Sequence, residues 1–164
     1  MAGIEVIGRG NAEFRKLQRR LQVASNGREL KKELIYEIRI GAAPAMADVR
    51  ASVLSVDVQS SAGGGDSSGL RARIAAAVSV RAVASGVRIY IQSRKVDPKY
   101  GRSLARLMNN TNGRPWIHPL FGNAEQQFTQ RGRDYFASAI RPHADDFRDA
   151  VLEAMAKVAD KIRG

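Results

Sequence analysis

Residues 78–92, Val-Ser-Val-Arg-Ala-Val-Ala-Ser-Gly-Val-Arg-Ile-Tyr-Ile-Gln, switch the chain to a period of two. Val78, Val80 and Ala82 alternate with Ser79, Arg81 and Val83. After Ser85-Gly86, Val87, Ile89 and Ile91 alternate with Arg88, Tyr90 and Gln92. This predicts a β-hairpin with one apolar face and one face bearing Arg81 and Arg88, as in an antiparallel sheet covered by helices on one side. Upstream, residues 70–77 read as a short helix; downstream, Asp97-Pro98 ends the hairpin.

The segments around the hairpin are mostly helical in period. Ile4, Val6 and Ile7 suit a short opening strand, and Asn11 is placed to cap a helix carrying Phe14, Leu17, Leu21 and Ala24. Ser25-Asn26-Gly27 breaks that pattern. A long series then runs through Leu30, Leu34, Ile38, Ala42, Ala45, Val49 and Val53, with Arg28, Lys31, Lys32 and Arg39 off the stripe. Pro44 lies inside it and predicts a kink near Gly41. Residues 60–69, all small or acidic, predict a flexible loop. That loop lacks the Gly-Lys-Ser/Thr of a phosphate cradle.

Further along, residues 103–108 suit a small helix and residues 126–131 a further strand. Asp134 is read as opening a helix that holds Tyr135, Phe136 and Ile140 until Pro142 interrupts it. A terminal helix starts near Asp145 or Asp146 and presents Phe147, Val151, Met155 (or Leu152), Val158 and Ile162 on one face. These elements predict an α+β fold in a single domain over residues 1–164. A small antiparallel sheet, the hairpin plus one or two further strands, packs against a long kinked helix and a C-terminal helix.

Composition narrows the function. The chain has 164 residues, 44% hydrophobic but only 6% aromatic, and no cysteine, which excludes disulfides, thiolate metal sites and cysteine nucleophiles. Folding in the cytoplasm is the expectation. The start shows no signal-peptide pattern, and no apolar run approaches the roughly 18 residues of a membrane span. The net charge is +11, and between Arg71 and Arg133 twelve Lys or Arg stand against Asp97 and Glu125 alone. A basic middle suits a surface near nucleic acid or an acidic partner, and it equally suits a soluble, self-repelling surface.

Catalytic patterns are missing. His118 and His143 are the two histidines, and neither has metal-ligand spacing. His118 reads as a structural imidazole and His143 as a cap or surface residue. The serines form no nucleophile elbow, and Asp145, Asp146 and Asp149 are explained as the charged first turn of a helix. The chain is therefore read as a non-enzymatic binding or assembly protein without cofactor. No helix-turn-helix, zinc-finger or RNA-recognition pattern is visible, which leaves non-specific contact with phosphate backbone as the nucleic-acid alternative.

The remaining singular stretch is residues 114–123, Arg-Pro-Trp-Ile-His-Pro-Leu-Phe-Gly-Asn, with the sole Trp. Two prolines and a glycine around large aromatics predict a stiff, irregular loop, pinned to its own core or anchoring a neighbour. With the following Gln130-Arg-Gly-Arg-Asp-Tyr-Phe136, this stretch resembles the tail-completion, or head-to-tail joining, proteins in the neck of long-tailed bacteriophages. Similar proteins place a Leu-Arg-x-x-Ile-Ala helix and an alternating hairpin before a His-Pro-x-Phe-Gly segment. Here those residues are Leu70, Arg71, Ile74, Ala75, the run 87–91, and His118 to Gly122. Gln126-Gln127-Phe128 departs from the Trp more usual there.

The resemblance implies a virion subunit, made in the host cytoplasm, in a closed ring of six or twelve copies between capsid connector and tail, with neither cofactor nor membrane. Its partners would be further copies, other neck and tail proteins, and DNA in the channel. Trp116, His118 and Phe121 are then candidate subunit contacts. Arg71, Arg73, Arg81, Arg88, Arg94, Lys95, Lys99, Arg102 and Arg106 are candidate contacts to DNA or an acidic ring.

Overall fold

The computed structural model describes residues 3–6, 11–56, 69–83, 86–96, 101–109, 115–120 and 123–163. In chain order the elements are β1 (Gly3–Val6), α1 (Asn11–Val23), α2 (Gly27–Leu54), α3 (Leu70–Ala76), β2 (Val78–Val83), β3 (Gly86–Ile91), α4 (Ser93–Val96) and α5 (Gly101–Met108). After these come β4 (Pro115–Leu120), β5 (Asn123–Arg131), α6 (Ala137–Ile140), a 3-10 turn (Arg141–His143) and α7 (Ala144–Arg163). The architecture is α+β, as the patterning predicts.

The hairpin forms as read, with Val78 opposite Ile91 and Val80 opposite Ile89, and β1 pairs antiparallel on the other side of β3. Its alternation decides its placement: Val78, Val80, Val87, Ile89 and Ile91 are buried, while Arg81 is exposed. The strand expected at 126–131 belongs elsewhere. Within β5 it pairs with β4 in a separate two-stranded sheet, Trp116 opposite Gln130 and His118 opposite Phe128.

α2 buries Leu30, Leu34, Ile38, Ala42, Ala45, Val49 and Val53. Each Leu, Ile or Val buried in this way contributes about 1.5–3 kcal/mol. The helix continues across Pro44, which is exposed. Its start requires glycine, because a Cβ on Gly27 would lie 1.8 Å from the Leu21 carbonyl oxygen at the end of α1. At its other end Arg71 donates to the carbonyls of Leu54 (3.1 Å) and Val56 (2.9 Å), a cation on the negative end of the helix dipole.

α7 runs antiparallel along α2. A Cβ on Gly41 would stand 2.4 Å from the Ala150 Cβ, so glycine lets the two backbones approach there. Polar pairs line the seam: His143 Nε2 with Asp48 (2.6 Å), Lys157 Nζ with Glu37 (3.4 Å), and Lys161 with Glu33. Glu153 first, and then Glu37, raise the Lys157 ammonium above its ordinary range. Phe147, Met155 and Val158 enter the core, whereas Leu152 is exposed, which decides between Met155 and Leu152.

The segment before α6 is clamped to α5. The backbone N–H of Arg133 donates to the Met108 carbonyl (2.9 Å), that of Phe136 to Asn109 Oδ1 (2.9 Å), and the Tyr135 hydroxyl to the Ala105 carbonyl (2.8 Å). The helix expected to open at Asp134 does not start there, although the Asp134 carboxylate accepts from the Ala137 N–H (3.0 Å). The helix begins at Ala137, so Tyr135 and Phe136 precede it and drop into the core at 0% and 1% exposure.

Candidate functional site

The basic residues fall into separate groups. On the face of the three-stranded sheet opposite its buried valines and isoleucines, register sets Arg81 opposite Arg88, with Glu5 opposite Arg88 on the far strand; Arg81 is exposed and Arg88 half-buried. Two arginines directly across a ladder repel. The Arg81 guanidinium lies over the Tyr90 ring, 4.7 Å from its centroid, an exposed cation–π contact worth about 0.5–1 kcal/mol. The Tyr90 hydroxyl accepts from Gln92 Nε2 at 3.1 Å. Arginine beside an aromatic on an open sheet can hold a phosphate and stack on a base or a planar group.

The second group follows the successive helices α3, α4 and α5, where Arg73, Arg94, Lys95 and Arg106 are exposed. Arg71 differs from the rest. Its guanidinium is engaged on the Leu54 and Val56 carbonyls at the end of α2, which gives a structural reason for a residue read as a contact to DNA. Arg102 lies on α5, and Lys99 lies outside the described residues.

For residues 114–123 the structure corrects the irregular loop: residues 115–120 are a β-strand. Both prolines are accommodated because β4 pairs on one side only and its register shifts between Pro119 and Leu120, a bulge position where a missing donor costs little. Trp116 and His118 stand two apart on β4 and so share one face of the hairpin by strand alternation. Phe121 and residues 60–68 of the loop expected at 60–69 lie outside the described residues.

Among the described residues, no three or more His, Cys, Asp or Glu side chains are grouped to hold a metal ion. His143 is engaged with Asp48 across the helix seam, and Arg148 with Asp145 (3.1 Å) and Asp149 (3.3 Å) along α7. No described helix is long and apolar enough to cross a membrane.

Another surface goes unnoticed when α2 is read as having a single apolar stripe. Tyr36, Ile40, Ala43, Ala47, Ala51 and Leu54 recur at helical spacing on the side of α2 away from the core, and all are exposed: Tyr36 62%, Ile40 55%, Leu54 50%. At 100° per residue they occupy a stripe about 80° wide. The signal was present in the spacing, masked by the stronger inner series. No family model matches the chain, and no curated protein or solved structure matches it.

Proposed function

We propose that the chain is a structural, non-enzymatic subunit of the neck of a long-tailed bacteriophage, one copy in a ring around the DNA channel between capsid connector and tail. The observation that carries this reading is the similarity of residues 114–136 to tail-completion proteins. The α+β architecture agrees with what that similarity implies, and the Arg81, Arg88 and Tyr90 face supplies a basic surface suited to DNA or an acidic neighbouring ring. The β4–β5 pair adds a second support: a lone two-stranded sheet is marginally stable in water, so contact with a neighbour benefits it.

Electron microscopy of the purified chain, together with antibody labelling of virions, tests the proposal. Closed rings and label at the capsid–tail junction are expected. A chain that stays monomeric and is missing from virions overturns it. Trp116→Ala is expected to lower ring yield while leaving the subunit folded.

A second reading is favoured by the arginine–tyrosine face itself: a basic protein that binds duplex through phosphates without sequence preference. It requires the isolated monomer to bind DNA with affinity falling steeply in salt, the log–log slope being about −0.9 per phosphate contacted.

A further inference from the structure

Among the described residues the exposed large hydrophobic side chains are Val23, Tyr36, Ile40, Leu54 and Leu152. Three lie on the outer stripe of α2 and one on the outer side of α7. Singly exposed apolar residues are ordinary, but a continuous stripe spanning residues 36–54, about 27 Å at 1.5 Å per residue, is a surface that water covers poorly.

The charges beside the two surfaces run in matching order. On α2, Lys32 and Arg39 are exposed along the edge of the stripe away from α7, and no described residue pairs with either. On the opposite edge, Glu33 and Glu37 are engaged with α7, and Asp48 with His143 in the turn before it. Beyond Arg39 the stripe becomes small: Ala43, Ala47, Ala51. On α7 the outward row reads Asp145, Asp149, Leu152, Ala156, spaced four, three and four residues apart and exposed throughout. Arg148 holds Asp145 and Asp149, and with Asp146 the first turns keep three carboxylates against one guanidinium.

We infer that the outer face of α2 in one copy packs, parallel, against the outer row of α7 in the next copy. Arg39 then meets Asp149, and Leu152 enters the stretch between Ile40 and Ala43, where the outer stripe turns small, as a knob into a hole. The register agrees: Arg39 and Ala47 stand about 12 Å apart along α2, and Asp149 and Ala156 about 10.5 Å apart along α7. Self-pairing of α2 fits worse. Laid antiparallel with Ala43 on Ala47 it brings Arg39 beside Arg50, and laid parallel it sets Arg39 against itself. Two unlike faces on one chain make a head-to-tail contact, the kind that closes rings. The inference deepens the ring reading and rests on it.

The absence of native cysteine makes the test direct. In the full chain carrying Ala47→Cys and Ala156→Cys, mild oxidation is expected to give a ladder of dimers, trimers and larger species, while neither single cysteine variant cross-links. Adding Ile40→Arg or Leu152→Arg is expected to cut the ladder about tenfold, the effect of losing an interface anchor, with helical circular dichroism unchanged. Arg39→Glu does the same, and Arg39→Glu with Asp149→Arg restores the ladder. Dimers from Ala47→Cys alone overturn the inference in favour of α2 self-pairing. Rings in the microscope without a ladder overturn it and leave the neck reading standing. Neither rings nor ladder removes both.

Discussion

The inner and outer faces of α2 carry apolar residues at nearly the same spacing and meet opposite fates. Leu30, Leu34 and Ile38 are 5%, 2% and 2% exposed; Tyr36 and Ile40, on the opposite side of the same helix, are 62% and 55% exposed. Hydropathy does not separate them. The inner face is fixed by what surrounds it, the apolar side of the hairpin and the close approach of α7 at Gly41, and the outer face has no such cover among the described residues. A helix apolar on two sides poses two packing problems, of which folding solves one; the proposed contact between copies would answer the other.

The largest expected effect lies on the inner face. Leu34→Ala removes a side chain that is 2% exposed and leaves a cavity, for a loss of about 3 kcal/mol. Urea unfolding should show a lower midpoint with the slope unchanged. A loss under 1 kcal/mol would mean that the inner face collapses as freely as a surface. Next comes the seam. Gly41→Val forces side-chain atoms into the space held by Ala150 and should cost about 2 kcal/mol. Ala150→Gly in the same chain should recover part of that loss, a coupling between the two sites that chemical denaturation of the four variants measures.

Tyr135 tests how far the dryness of the inner face extends, because α6, which follows it, packs on α2. Tyr135→Phe deletes the hydrogen bond to the Ala105 carbonyl, which keeps the Asn109 N–H as a second donor, so about 1 kcal/mol should be lost. Burial also pushes the Tyr135 phenol well above its ordinary value. The folded chain therefore keeps a proton that the unfolded chain releases above pH ~10, so stability from this group is full below that pH and is lost as pH rises further. The wild-type melting temperature should fall more steeply above pH 10 than that of Tyr135→Phe. Parallel curves would show that the phenol reaches water.

Much of this fold is legible in the sequence where one period dominates. The hairpin alternation, the inner stripe of α2 and the terminal helix each bury or half-bury the residues that spacing selects, because in each one apolar face dominates the packing. Legibility fails where two signals compete. Asp134 suggests a helix start three residues too early, because the local pattern cannot say that Tyr135 and Phe136 are drawn into the core before the first turn by Ala105 and Asn109, thirty residues or so upstream. Prolines at 115 and 119 read as an irregular loop, because the rule against proline in strands is relaxed when only one edge is paired, and pairing is a tertiary fact. Among the basic residues, sequence cannot separate Arg71, spent on helix carbonyls, from Arg81, which lies over Tyr90.

The smallest expected effect is the one that most sharpens the contrast between the two faces. Ile and Ser have similar helix propensities, and Ile40 is already half exposed, so Ile40→Ser should change the stability of the isolated subunit by no more than about 0.5 kcal/mol. Measured by thermal unfolding at low concentration, where copies are apart, it should melt with the wild type, some 3 kcal/mol above Leu34→Ala at a position less than two turns away. At high concentration the wild type should gain stability from association that Ile40→Ser does not, because a partner that binds only the folded state raises its melting point by mass action. A loss above 1 kcal/mol at low concentration would mean that Ile40 is already covered within its own chain, and the two faces of α2 would then be one core.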